Sequence, residues 1–207
     1  MAPAKELVDF GQHYAVLNLD WMSLLINAIE ETPEGKSMIA SCSKWNDAVH
    51  SKSNRPLTVF TSLAFNRGQP ELEVNKPFAR LIAPFGSFED GSPGVNIYPH
   101  FTVDEKDVVL RKTRWSATTG NNLKQILKAQ RIDTVVISGL SLSGVVMATI
   151  HRLFDLDFNM YVIRDNVIEV PVDQNEAFSK VMLEALMPKM NIRVISLDEA
   201  IQALGHS

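Results

Sequence analysis

At 207 residues, 45% of them hydrophobic and 21% charged, the chain has the make-up of one ordinary globular domain spanning 1–207. Its formal charge is −4 with acidic and basic residues interleaved, so it offers no basic stripe to neutralise a run of phosphates, and nucleic acid is not an expected partner. No segment approaches the roughly 18 unbroken apolar residues of a membrane span.

Residues 1–10 carry Lys5 and Glu6 where a signal peptide needs a continuous apolar run, and the lone cysteine, Cys42, rules out an internal disulfide framework. A soluble, cytoplasmic protein is expected. Along the chain, short apolar, β-branched runs alternate with helix-period segments. The first run, 14–19, ends on Asp20. Thr32 then caps a helix with Pro33 at its first position, and Met38, Cys42, Trp45 and Val49 fall on one face of it. A second run covers 57–61. The stretch 64–100 that follows is rich in Pro and Gly and carries Phe65, Phe78, Phe85, Phe88 and Tyr98, which read as exposed. A connection this long inside a compact domain predicts a partial lid over the site, or simply a short helix around 78–82.

The third run, 108–110, leads to Lys112, and a helix with Leu123, Ile126 and Leu127 inward comes after Thr118. A fourth run at 134–138 opens into the small-residue turn Gly139-Leu-Ser-Leu-Ser-Gly144-Val145, and a fifth lies at 160–163. Asp173 with Glu176 predicts a capping box for a helix whose buried stripe is Phe178, Val181, Met182, Ala185 and Leu186. A last run occupies 192–195. Continuous apolar runs are strands buried on both faces, and their alternation with helices specifies an open, doubly wound α/β sheet.

In such a sheet ligands bind at the carboxyl ends of the strands, where strand order reverses. That selects Asp20, Thr61 and Ser62, Lys112, and the turn from Gly139 to Val145. Asp20 either caps the next helix or serves as a general acid or base. Lys112 is either solvated or paired with Asp20, tuning its proton affinity. The turn either presents free amides to an anion or is merely a tight strand-to-helix connection. Other candidates read as inert. His13, His50, His100, His151 and His206 show no metal-ligand spacing, so neither metal nor cofactor is expected. Cys42 lies mid-helix on an apolar stripe, and no histidine stands in a G-x-S-x-G context to activate Ser116, Ser141 or Ser143. The glycines match neither a dinucleotide fingerprint nor a phosphate-binding loop.

Three segments in order, AVLNLD ending on Asp20, DVVLRKTRWSATTGNNL with Lys112, and TVVISGLSLSGVVMATI, resemble the isochorismatase-like cysteine hydrolases, and YVIRDNV puts Asp165 in the place of the family's aspartate after strand five. The resemblance spans 14–196. It implies a three-layer α/β/α, Rossmann-like fold with a six-stranded parallel sheet, and a homo-oligomer in which a partner covers the aromatic-rich segment 65–98. In the family, the glycine of the strand-four turn is followed six positions on by a catalytic cysteine, and that position is Val145 here. Of the Asp-Lys-Cys triad only Asp20 and Lys112 remain. The resemblance further implies a cis peptide at Leu140-Ser141 and oxyanion amides on Ser141 and Val145. The metal-binding aspartate and histidines of nicotinamidases are absent from TSLAFNRGQPEL.

Without a thiolate the covalent amidase route is closed. The resulting expectation is a small-molecule hydrolase in which Asp20 acts as general acid on an enol ether or related unsaturated acid, with Lys112 orienting Asp20 or holding a substrate carboxylate. The alternative is a catalytically altered member, either a binding protein or pseudoenzyme or a biosynthetic lyase or isomerase. The substrate wall is expected from Trp21, Phe60, Ser62, Arg114, Trp115, Ser141 and Gly144, although Trp21 and Trp115 read equally as core.

Overall fold

The computed structural model describes residues 7–207; Lys5 and Glu6, on which the reading of the amino terminus rests, lie outside them. The elements run β1 (Tyr14–Leu19), α1 (Ser23–Ile26), α2 (Pro33–His50), β2 (Leu57–Leu63), α3 (Pro77–Ile82), β3 (Val108–Lys112), α4 (Leu123–Ala129), β4 (Thr134–Leu140), α5 (Met147–Phe154), β5 (Asn159–Ile168), α6 (Asn175–Val181), α7 (Met187–Lys189), β6 (Arg193–Ile195) and α8 (Leu197–His206). The six strands form one sheet in the order β3-β2-β1-β4-β5-β6. Every pairing is parallel. Strand order reverses between β1 and β4, which fixes where a ligand cleft opens.

Both faces of the sheet are covered, as the unbroken apolar runs require. On one side Val16, Phe60 and Val136 pack with Met38, Cys42, Trp45 and Val49 of α2 and Ala200, Ala203 and Leu204 of α8. On the other, Leu17, Val135 and Ile137 pack with Leu123 and Leu127 of α4 and Ile150 and Leu153 of α5. A third, smaller cluster of Met22, Leu63, Phe65, Ile82, Phe88 and Val95 lies beneath the 64–100 segment. No helix among the described residues is long and apolar enough to cross a membrane.

Helix α2 starts as its sequence dictates: Thr32 Oγ1 accepts from the Gly35 amide at 3.0 Å, and Pro33 occupies the first turn. Gly35 is obligatory, because a Cβ there would sit 2.0 Å from the Ile29 carbonyl oxygen. The predicted capping box at Asp173 and Glu176 does not form. Pro171 leads into a 3-10 turn, Val172–Gln174, that delays the helix to Asn175, and no side chain caps it. A capping box does form at Ser196 and Glu199, opening α8. The predicted stripe on α6 also shifts. The helix widens into a π-turn over Met182–Leu186, which breaks the 3.6-residue period and leaves Val181 and Ala185 exposed while Phe178, Met182, Leu183 and Leu186 are half-buried.

Strand β5 departs furthest from its sequence reading. Ile137 pairs with Val162 but Gly139 pairs with Val167, so the residues between Val162 and Val167 bulge and the strand resumes to Ile168 beside Leu140. That bulge carries the strand end to Glu169.

Candidate active site

Asp20 follows the last residue of β1 in a left-handed conformation, φ 58°, which aspartate tolerates better than most residues. Its amide donates to the Thr61 carbonyl at 3.1 Å, tying it to β2. The Thr61 hydroxyl donates to Asp20 Oδ1 at 2.8 Å, and Lys112 Nζ, from the end of β3, lies 2.7 Å from Oδ2. Lys112 is wholly buried and donates also to the Arg114 carbonyl at 2.9 Å. Of the alternatives open for these two residues, the pair is what forms. Burial raises the Asp20 carboxyl above its ordinary range, opposed by the Lys112 ammonium and the Thr61 hydroxyl. Burial likewise lowers Lys112, opposed by Asp20. Both partners are pressed toward their uncharged forms.

Asp20 opens onto a cavity of about 250 Å³ at the switch point, walled by Leu140, Ser141, Ser143 and Val145 of the strand-four turn. Gly139 permits that turn to approach β1, since a Cβ there would lie 2.6 Å from the Leu19 Cβ. The Leu140-Ser141 peptide is cis, at the position the resemblance implied. Asp20 and Val145 thus share one cavity with Lys112 directly behind.

The 64–100 segment covers this cavity with Leu81, Ile82, Phe85 and Phe88. The Ala64 amide ties it to β3 by donating to the Lys112 carbonyl at 3.0 Å, Tyr98 donates to the Trp21 carbonyl at 2.8 Å, and within the segment Phe65 donates to the Phe88 carbonyl at 2.8 Å. Its aromatics turn inward rather than to solvent: Phe65 and Phe88 are buried, and Phe78, Phe85 and Tyr98 are partly so.

Five of the seven expected substrate-wall residues do not line the cavity. Trp21 and Phe60 are fully buried and pack edge-on at 5.9 Å within the α2-side core. Both faces of β2 are buried, so alternation of exposure does not reveal which side Phe60 takes. Ser62 donates to the Val95 carbonyl and anchors the covering segment. Arg114 lies outside, its guanidinium 5.2 Å from the Phe78 ring centre and bonded to the Glu71 carbonyl at 3.0 Å. Trp115 and Ser141 do line the cavity. Gly144 backs the wall, since a Cβ there would lie 2.6 Å from Ser141 Oγ.

Residues the sequence reading missed complete the wall: Glu169, Val170 and Pro171 after β5, then Gln174 and Phe178. Glu169 Oε2 accepts from the Ser143 amide at 2.7 Å. Asp165, expected beyond strand five, instead lies within β5 and accepts from the Leu197 amide at 2.6 Å, away from the cavity wall. Cys42 is buried under β5, its thiol pushed well above its ordinary pKa by desolvation. His50, Asp104 and Asp107 come together by tertiary folding, a grouping that spacing along the chain did not reveal. Arg55 ion-pairs with both aspartates, and the group lies at the opposite edge of the sheet, beside the start of β3.

The Isochorismatase domain matches residues 14–199, nearly the whole chain. The chain belongs to the isochorismatase family. It is 28% identical over 118 residues to the uncharacterized isochorismatase family protein YwoC of Bacillus subtilis, 57% of this chain and 61% of that one. An N-carbamoylsarcosine amidase from Arthrobacter is 24% identical over 169 residues, 79% of this chain and 62% of that protein. The chain therefore spans less than two thirds of either relative. An isochorismatase family protein from Burkholderia thailandensis superposes with a TM-score of 0.73 at 20% identity, covering 97% of this chain and 100% of that structure, a likeness of fold. For this isochorismatase-family chain, Asp20, Lys112 and the strand-four turn stand at the sheet's switch point, and the elements that close over them are the 64–100 segment and the stretch after β5.

Proposed function

We propose that the chain is a hydrolase opening a small enol ether or related unsaturated compound by general-acid catalysis from Asp20, with no cysteine nucleophile. The observation that carries this is a buried carboxylate, pushed upward by desolvation, facing an apolar cavity in which Val145 stands where the resemblance puts the family's cysteine. A raised carboxyl is suited to giving a proton near neutral pH. Protonated Asp20 delivers its proton to the terminal vinyl carbon; water adds to the resulting oxocarbenium carbon; the hemiketal collapses to an alcohol and a ketone, and the proton it sheds restores Asp20. Of the two roles expected of Lys112, its burial behind Asp20 favours orienting the acid over holding a substrate carboxylate.

Turnover of a vinyl ether probe is expected to fall as pH rises through the raised Asp20 pKa, and to survive thiol alkylation of the folded protein. A rate that instead climbs with pH, or vanishes on alkylation, overturns the proposal. The second reading, a member that keeps the cavity without hydrolysing anything, draws on the engagement of both Asp20 oxygens by Thr61 and Lys112. It predicts binding of the probe with no turnover at any pH.

A further inference from the structure

Among the described residues the cavity wall holds two acidic side chains, Asp20 and Glu169, and neither lysine nor arginine. Asp20 is matched by Lys112. Glu169 is only 3% exposed, and its oxygens accept from the Ser143 amide at 2.7 Å and its neighbour Val170's amide at 3.1 Å. Among the described residues no basic side chain pairs with it. A carboxylate has about four acceptor positions, so acceptor capacity remains on Glu169 for the cavity. Buried charge without a counter-charge is costly, and a ligand that supplies a cationic donor offsets that cost, whereas an anionic ligand adds like-charge repulsion in a medium of low dielectric.

We propose that Glu169 is a substrate-recognition residue, accepting a hydrogen bond from an ammonium or other N–H donor on the substrate, so that the pocket selects amine-ended small molecules and rejects carboxylic acids. This rests on the general-acid reading only for where the reacting bond lies, and it narrows that reading: the unsaturated substrate ends in a donor rather than in an acid. The bulge in β5 serves this role by letting the strand resume beside β4, with Ile168 paired to Leu140, so that Glu169 follows next to the strand-four turn at the cavity wall. The surrounding Phe85, Phe88, Val170 and Phe178 supply the apolar contact for the rest of the molecule.

Three small aromatic probes of similar size and different charge test the proposal: benzylamine, benzamide and benzoate, titrated at pH 7 into the full chain and followed by amide NMR shifts. Wild type is expected to bind benzylamine best, benzamide next, and benzoate at least about tenfold more weakly than benzylamine, as a charge-assisted hydrogen bond implies. Glu169→Gln keeps an acceptor for the Ser143 amide but removes the charge, and it should bring the amine-to-benzoate ratio close to one. Benzoate binding as tightly as benzylamine in wild type, no detectable benzylamine binding, or an unchanged ratio in Glu169→Gln overturns the proposal. Where the variant does not fold, the wild-type ratio decides alone. The readout needs no turnover. A lost preference together with Asp20-dependent turnover overturns only this inference, while a preserved preference with turnover indifferent to Asp20 overturns only the general-acid reading.

Discussion

Replacing Lys112 with methionine removes an ammonium that contacts Asp20 Oδ2 at 2.7 Å and the Arg114 carbonyl at 2.9 Å, while largely keeping its volume in a wholly buried position. Asp20 is left with the Thr61 hydroxyl as its side-chain partner, and the Arg114 carbonyl loses a donor. Removing one partner of a buried pair costs about 3–5 kcal/mol, a large part of the 5–15 kcal/mol that typically separates folded from unfolded states. With a typical urea dependence this lowers the unfolding midpoint by about 1–2 M at pH 7. The loss should depend on pH, with a definite sign. Burial already raises Asp20 above its ordinary value of about 3.9, and Lys112 is what holds it down. A carboxyl whose folded pKa is raised contributes its full stability below the unfolded value and loses that contribution as pH rises through the folded value. Without Lys112 the window widens upward, so the deficit of Lys112→Met relative to wild type should shrink on going from pH 7 toward pH 4. Adding Asp20→Asn should recover part of the loss at pH 7. Urea melts of the four proteins at both pH values measure this. A deficit that is constant with pH, or additive between the two substitutions, would refute the claim that the pair is coupled.

The corrected wall gives a paired prediction: Phe60→Ala should cost about 3–5 kcal/mol in stability and leave probe binding unchanged once folded, because Phe60 is core. Phe178→Ala, half-buried in the cavity wall, should weaken probe binding with a smaller loss of stability; urea melts and NMR titration together separate the two. Native wild type should resist iodoacetamide because the Cys42 thiol is buried and held protonated, whereas Val145→Cys should take up a single adduct at the new position, counted by intact mass. Rapid alkylation of Cys42 in the folded protein would contradict its placement.

What the sequence made legible follows from burial on two faces. Asp20 and Lys112 stood out because each is a charged residue at the end of an apolar run, and the strand-four turn stood out because glycines punctuate it. Glu169 did not. The apolar pattern of β5 breaks at Arg164 and Asp165, which bulge from the strand, so the run reads as finished at Ile163 and Asp165 takes the post-strand position that Glu169 holds. Phe60 was assigned to the cavity for a related reason: in a strand covered on both sides, alternation carries no information about which face is which, and Trp21 lies past the end of β1, where no strand period applies. The covering segment was legible as a long, aromatic-rich connection, but the direction its rings face depends on backbone hydrogen bonds to Phe65 and Trp21 that no local pattern encodes. The capping signal at Asp173 had the same residue spacing as the one at Ser196. What separated them was the 3-10 turn after Pro171.

The central claim, that Asp20 gives a proton to the substrate, is tested most directly by turnover of one vinyl ether probe by wild type and Asp20→Asn. The carboxamide keeps the shape of Asp20 and its contact with Thr61 but has no acidic proton, so probe binding should persist while the rate falls about 10²–10⁴-fold. Equal rates from the two folded proteins would contradict the account.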